Sequence, residues 1–171
     1  MKVIEQEIHS LKNSISEMWA LVHQQLYNAG EAMLTGDKEL AYKVISRERR
    51  VNAFELKIDS DCEDIIALYA PVAIDLRFVL AMYKINTNLE RLGDFAESIA
   101  RFAGNLPEGE PIDPQLVKET RVEEMLSELL SMISLTKEAF EKESSEIASR
   151  IFLKDNLIDE INHNSTAIIA K

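Results

Sequence analysis

Apolar residues recur along this chain at alternating steps of three and four, which is the spacing of one face of an α-helix. The first such stripe runs through Ile4, Ile8, Leu11, Ile15, Met18, Val22, Leu26 and Met33. Few residues interrupt these stripes, since the chain has five Gly and four Pro and all four Pro lie between positions 71 and 114. A β-sandwich needs turn signals every 8–12 residues or so. The pattern therefore predicts an all-α fold.

The helix-breaking residues divide the chain into five predicted helices. The stripes and breakers predict helices over residues 3–34, 38–69, about 71–104, 115–142 and 145 to the end. Gly36 and Pro71 mark two short connections, and short connections join antiparallel neighbours. We therefore expect a first antiparallel three-helix bundle over residues 1–104 and a linker loop over 105–114. Residues 115–171 are then the first two helices of a second bundle.

A shift of 107 residues aligns the two parts of the chain as an internal repeat. It places Trp19 on Leu126 and Val51 on Ile158, and it passes through the loop between the two helices without a gap. Repeat two has no counterpart of the third helix within the 171 residues. An open apolar groove is therefore predicted, with self-association as a dimer to cover it. The residues expected to line this groove are Leu126, Leu129, Ile133, Phe140, Ile151, Ile158 and Ile161.

Charge and composition exclude several classes of protein. The chain carries 19 basic and 30 acidic residues, a net charge of −11, which opposes binding to nucleic acid or to an anionic membrane surface. No apolar run is long enough to cross a bilayer, and the N-terminus has no apolar signal core. We therefore expect a cytoplasmic protein without direct membrane insertion. The single cysteine, Cys62, lies in an apolar stripe and is predicted to be a core residue.

Two predicted helices carry acidic and amide residues beside their apolar stripes. These residues are Glu48, Asn52, Glu55 and Asp59 on the second helix and Asn86, Glu90, Asp94 and Glu97 on the third. Crowded carboxylates are costly unless a cation neutralises them, and hard cations prefer oxygen ligands. The alternative is a solvated acidic face. Glu160 and His163 have the spacing of half a di-iron ligand set, but such sites need two pairs. No catalytic or organic-cofactor-binding residue is predicted.

The segment around the third helix resembles the PhoU family. The resemblance is carried by Pro71-Val72-Ala73-x-Asp75-Leu76-Arg77 and above all by NLERLGDFAESIA at residues 88–100. It implies two three-helix bundles related by a repeat and a Glu/Asp-x-x-x-Asp metal motif. The motif is matched by Glu90 with Asp94, by Glu55 with Asp59 and by Asp155 with Asp159. With Glu48, Asn52 and Asn86 these residues form the predicted set of ligands for a divalent or ferric ion, such as Fe, Mn, Mg or Zn.

The same resemblance implies a role. PhoU-type proteins are similar to cytoplasmic adaptors that negatively regulate the phosphate-starvation response and phosphate uptake. Their expected partners are the ATPase subunit of the phosphate transporter and a sensor histidine kinase. Three alternatives remain open: a di-metal carboxylate enzyme on a helical bundle, the PhoU-like cytoplasmic domain of a sodium–phosphate cotransporter, and a helical interaction domain without metal.

Overall fold

A computed structural model describes residues 3–107 and 111–169, and every element within those ranges is helical. The helices are α1 (Val3–Thr35), α2 (Lys38–Tyr69), α3 (Ala73–Asn105), α4 (Pro114–Thr120), α5 (Val122–Glu141) and α6 (Ser145–Ile169). The predicted all-α fold is confirmed. Residues 108–110 of the predicted linker lie outside the described residues, as do the two residues at each end of the chain.

The ends of the first helices follow from local chemistry. Gly36 ends α1 with a φ of 73°, a left-handed conformation that costs glycine little. Asp37 then caps α2, because its carboxylate accepts a hydrogen bond from the Leu40 amide at 2.9 Å. At the next connection Ala70 and Ala73 both have positive φ, 45° and 49°, on either side of Pro71. These short turns make α1, α2 and α3 antiparallel neighbours.

The first three helices form one bundle around a continuous apolar core. Ile15, Val22, Val51, Ile58 and Leu89 are among its buried members. Cys62 is also buried there, as predicted, and burial together with nearby carboxylates raises the pKa of its thiol to about 12. The bundle holds α2 against α3 along their length, which sets the register of the acidic residues on those two helices.

The predicted fourth helix over residues 115–142 is wrong in one respect, because it is two helices. Arg121 separates α4 from α5 with a left-handed φ of 54°. Contacts from α6 hold this break: Ser165 donates a hydrogen bond to the Thr120 carbonyl at 2.7 Å, and Glu160 pairs with Arg121 at 3.0 Å. The carbonyl that Ser165 binds is therefore satisfied outside the helix ladder.

Helix α5 packs antiparallel on α1 and joins the second part of the chain to the first bundle. The Trp19 indole donates to the Ile133 carbonyl at 3.2 Å and stacks on Phe140 with 5.7 Å between ring centroids. Leu126, the repeat counterpart of Trp19, lies close against Gly30. The contact of Leu126 with Gly30 corresponds, in the repeat, to the contact of Trp19 with Ile133 and Phe140. The shift of 107 residues carries Gly30 to position 137, which lies between Ile133 and Phe140 in the sequence. The α1–α5 pair is thus pseudo-symmetric about a two-fold axis.

Helix α6 packs on α5 and on α4. The expectation that Ile161 lines an open groove is wrong, because Ile161 is fully covered on α6. Ile133 is largely buried in the core with Trp19, but it also lines a cavity between α3 and α5. Among the described residues of α6, the exposed large apolar side chains are instead Phe152 and Leu153, at 76% each, and Ile169, at 70%.

Among the described residues, no helix combines the length and apolar character that crossing a bilayer requires.

Candidate functional site

The antiparallel packing of α2 and α3 brings their polar residues into facing pairs. Going along α2, Glu48 comes near Asp94, and Glu55 comes near Glu90. Further along, the Asn86 side chain on α3 donates to Asp59 at 2.7 Å and to the Glu55 carbonyl at 2.9 Å. The two arcs seen in the sequence are therefore one acidic seam between two helices.

Glu48 is the most constrained residue of this seam. Its side chain is buried, with 5% of the residue exposed, yet neither carboxylate oxygen has a hydrogen-bond partner among the residues that the structure describes. Burial, together with the charges of Asp94, Glu97 and Glu90, raises the pKa of this carboxyl to about 7. A buried, unpaired carboxylate is unfavourable unless a proton or a cation compensates it.

Gly93 provides the space in which Glu48 lies. A Cβ at Gly93 would come within 2.8 Å of Val51 Cγ1 and 3.6 Å of Glu48 Oε2. The absence of a side chain lets α3 approach α2 closely at this point. Sequence reasoning did not single out Gly93, because its role depends on which α2 residue faces it.

Glu90 forms the middle of the seam. Partial burial raises the pKa of its carboxyl, as do the charges of Asp94 and Glu55 and a hydrogen bond shared with Asp94, while Arg91 opposes the shift. A hydrogen bond between two carboxyl groups requires a proton between them. In the absence of a cation, Glu90 therefore holds its proton to a higher pH than an ordinary glutamate.

A cleft of about 460 Å³ opens at the Glu48 end of the seam. Glu48, Asn52, Asp94 and Glu97 line it together with Ile45, Ser46, Arg49 and Arg101. Arg101 pairs with Glu97 at 2.6 Å, one turn away on α3. Arg49, Arg101 and Ser46 were not among the predicted site residues. The sequence could have indicated the two arginines, because Arg49 follows Glu48 directly and Arg101 comes four residues after Glu97.

These residues fit a hard cation in chemistry but not as a preassembled cage. Glu48 supplies two buried oxygens without partners, and Asp94 faces the same cleft. Within the described ranges, however, no three Asp, Glu, His or Cys side chains converge on one point. A cation there would take two protein carboxylates as placed and complete its coordination with water or another oxygen ligand. Asp59 lies further along the seam, where one of its carboxylate oxygens accepts a hydrogen bond from Asn86.

The third predicted motif lies elsewhere. Asp155 and Asp159 are exposed on α6, which packs on α4 and α5 rather than joining the α2–α3 seam. Glu160, the other acidic residue considered on this helix, pairs with Arg121. The same spacing of four residues thus places Glu90 and Asp94 in the seam between α2 and α3, but leaves Asp155 and Asp159 facing solvent on α6.

Comparison with known proteins places this helical arrangement in a family. The PhoU domain matches residues 15–103, which include the whole acidic seam. The PhoU homolog of Aquifex aeolicus, a phosphate-specific transport system accessory protein, is 35% identical over 159 residues, covering 92% of this chain and 69% of the relative. The Escherichia coli K12 accessory protein PhoU is 34% identical over 154 residues, covering 90% of this chain and 62% of the relative.

Solved structures agree with the sequence relatives. The crystal structure of the phosphate transport system regulatory protein PhoU from Streptococcus pneumoniae superposes with a TM-score of 0.84 at 30% identity, over 98% of this chain and 77% of that one. PhoU from Pseudomonas aeruginosa superposes with a TM-score of 0.89 at 27% identity, over 97% and 78%. Sequence and fold together show that this chain belongs to the PhoU family.

Proposed function

We propose that this chain acts as a non-enzymatic cytoplasmic adaptor in the control of phosphate uptake. In this role it represses the phosphate-starvation response by linking the ATPase subunit of the phosphate transporter to a sensor histidine kinase. The observation that carries the proposal is the match to relatives named as accessory or regulatory proteins of phosphate transport, over nearly the whole chain. A homodimer is part of the proposal.

Deletion and complementation test the adaptor role. Cells that lack the gene should express phosphate-starvation genes in phosphate-rich medium, and the full-length gene should restore repression. Co-purification with the transporter ATPase and the kinase tests the physical link. Repression that persists after deletion contradicts the proposal.

The second part of the proposal is that the α2–α3 seam binds a divalent or ferric ion. Its support is the buried carboxylate of Glu48, whose two oxygens lack partners beside Asp94. The roles of the other candidates follow from their positions: Glu90 and Glu55 supply further carboxylates along the seam, Asn52 an amide oxygen, and Asn86 orients Asp59. The cation would supply the positive charge that the crowded carboxylates lack.

Elemental analysis of protein purified without an affinity metal column tests this assignment. Glu90→Gln with Asp94→Asn should lower the bound metal, because both changes remove charge from the seam and keep the shape of the side chains. Asp155→Asn with Asp159→Asn is the matched control, since it alters the same motif on α6. Equal metal content in wild type and the α3 variant contradicts the seam as the site.

A further inference from the structure

The cleft at the Glu48 end of the seam combines opposite charges in an unusual way. Its lining includes three carboxylates, from Glu48, Asp94 and Glu97, and two guanidinium groups, from Arg49 and Arg101. Arg101 is already paired with Glu97. Arg49 is exposed, and in the described part of the chain it has no ion pair or hydrogen bond.

The net charge of this lining decides which ligand it can accept. Three carboxylates and two guanidinium groups leave one negative charge, so the cleft alone repels an anion. A divalent cation on Glu48 and Asp94 reverses the sign to one positive charge. Two protein carboxylates also leave most positions of a hard cation open to other oxygen ligands.

We propose that the cleft is a cation-dependent binding site for inorganic phosphate, held between a cation on Glu48 and Asp94 and the side chain of Arg49. The inference rests on the proposed cation site. A guanidinium group binds phosphate oxygens with two parallel hydrogen bonds, and Arg49 lines the cleft. The Ser46 hydroxyl is not part of the inferred site, because it donates to the Lys43 carbonyl at 2.9 Å. The cleft volume of about 460 Å³ is within the range of small-molecule sites.

The remaining carboxylate favours phosphate over sulfate. Hydrogen phosphate still carries a proton that it can donate to a carboxylate oxygen, whereas sulfate at neutral pH has none. Glu97 lies at the same cleft and can accept that hydrogen bond. Sulfate would instead bring bare oxygens against a carboxylate, which is a repulsive contact.

Equilibrium dialysis of the full chain with radiolabelled inorganic phosphate, with and without Mn²⁺, tests the inference. We expect the protein to retain phosphate only when Mn²⁺ is present, and to retain sulfate at least tenfold more weakly. By thermodynamic reciprocity, phosphate should tighten the binding of Mn²⁺ by the same factor by which Mn²⁺ tightens the binding of phosphate. Arg49→Ala should weaken phosphate binding about tenfold and should not weaken Mn²⁺ binding in phosphate-free buffer, because it removes a positive charge beside the carboxylates. Arg47→Ala is the matched control, since Arg47 is exposed on the same helix and does not line the cleft.

The outcomes separate this inference from the proposed cation site. Mn²⁺ binding without retained phosphate, or equal effects of Arg49→Ala and Arg47→Ala, overturns the phosphate site and leaves the cation site intact. Phosphate retention that is independent of Mn²⁺ overturns the inferred bridge. Absence of Mn²⁺ binding with and without phosphate overturns the cation site and this inference together. A dialysis chamber without protein corrects for complexes of Mn²⁺ and phosphate in solution.

Discussion

Glu48 is a residue whose burial makes the stability of the metal-free protein depend on pH. Its carboxyl has a pKa of about 7 in the folded chain, against 4.5 for an ordinary glutamate. The folded state therefore prefers the protonated form of Glu48. The contribution of this residue to the unfolding free energy is largest below about pH 4.5 and is lost as the pH rises through 7. A difference of this size corresponds to roughly 3 kcal/mol.

Glu48→Gln should remove most of this dependence. In buffer with a chelator, we expect the variant to be more stable than wild type at pH 8 by about 1–3 kcal/mol and close to it at pH 4.5. Urea denaturation at both pH values measures the difference. Glu17→Gln, on an exposed position of α1, is the control and should show no such change. If the difference in unfolding free energy between Glu48→Gln and wild type is the same at pH 4.5 and pH 8, Glu48 is not a buried, unpaired carboxylate.

Gly93 and Gly104 lie on the same helix, but we expect their replacement by alanine to change the stability of the protein in opposite directions. Gly93→Ala places a methyl group 2.8 Å from Val51 Cγ1, in a buried contact between two helices, and should cost about 1–3 kcal/mol. Gly104→Ala meets nothing within 4 Å and should stabilise α3 by up to about 1 kcal/mol, because alanine is the better helix former. Thermal denaturation of both variants measures the contrast. Equal effects would mean that the Gly93 approach is not tightly packed.

At the scale of the secondary-structure elements, the packing of α2 against α3 brings together carboxylates that repel each other in the absence of a cation. Glu90→Gln with Asp94→Asn should therefore make the chelator-treated protein more stable than chelator-treated wild type, by about 1 kcal/mol or more. The same variant should gain less stability from added Mn²⁺, since ligand binding stabilises only a state that binds it. Thermal denaturation with chelator and with Mn²⁺ measures both effects. A variant that is less stable under both conditions shows that Glu90 and Asp94 stabilise the bundle by direct contacts instead.

A helix boundary can be predicted from the sequence when the residues that set it are close to it in the chain. The ends of α1 and α2 depend on neighbours such as Gly36 and Asp37, so local patterns predict them. The break at Arg121 depends on Ser165 and Glu160, about 40 residues further along, and no local pattern reports those contacts. A helix pattern predicts continuity there, and tertiary contacts override it.

The candidate site shows the same division. Spacing alone places Glu48, Glu55, Glu90 and Asp94 beside the core stripes of their helices, and the structure brings them into one seam. Spacing also gives Asp155 and Asp159 the same motif, but it cannot report that α6 packs on α4 and α5 instead of facing α2 or α3. A motif on one helix becomes a site only when a second helix supplies the facing residues.

For the whole molecule, the two-fold relation between α1 and α5 has a consequence for the surface. A two-fold axis that exchanges two antiparallel neighbours keeps each flanking helix on the same face. Helix α3 packs on the α1 side of this face, while on the α5 side a groove runs between α3 and α5. Two cavities of about 660 and 260 Å³ meet in it at Ile85, with Phe78, Leu92, Ile133 and Phe140 along the walls.

This groove leads to a prediction about association. Covering about 500 Å² of apolar surface contributes roughly 12 kcal/mol before the cost of association, which is itself about 4–15 kcal/mol. We therefore expect the 171-residue chain to form a dimer at micromolar concentration, with a second copy covering the groove. Sedimentation equilibrium measures the stoichiometry and the dissociation constant.

Two variants locate the contact without disturbing the core. Asn88 is exposed at the wall of the smaller cavity, so Asn88→Arg places a charge in the groove and should weaken the dimer at least tenfold. Phe152→Glu replaces an exposed apolar side chain of α6, where Phe152 is 76% exposed, and should leave a groove-mediated dimer intact. If Phe152→Glu dissociates the dimer and Asn88→Arg does not, the copies meet through α6. A monomer at every concentration means that the chain leaves the groove uncovered, because the cost of association exceeds what its apolar walls contribute.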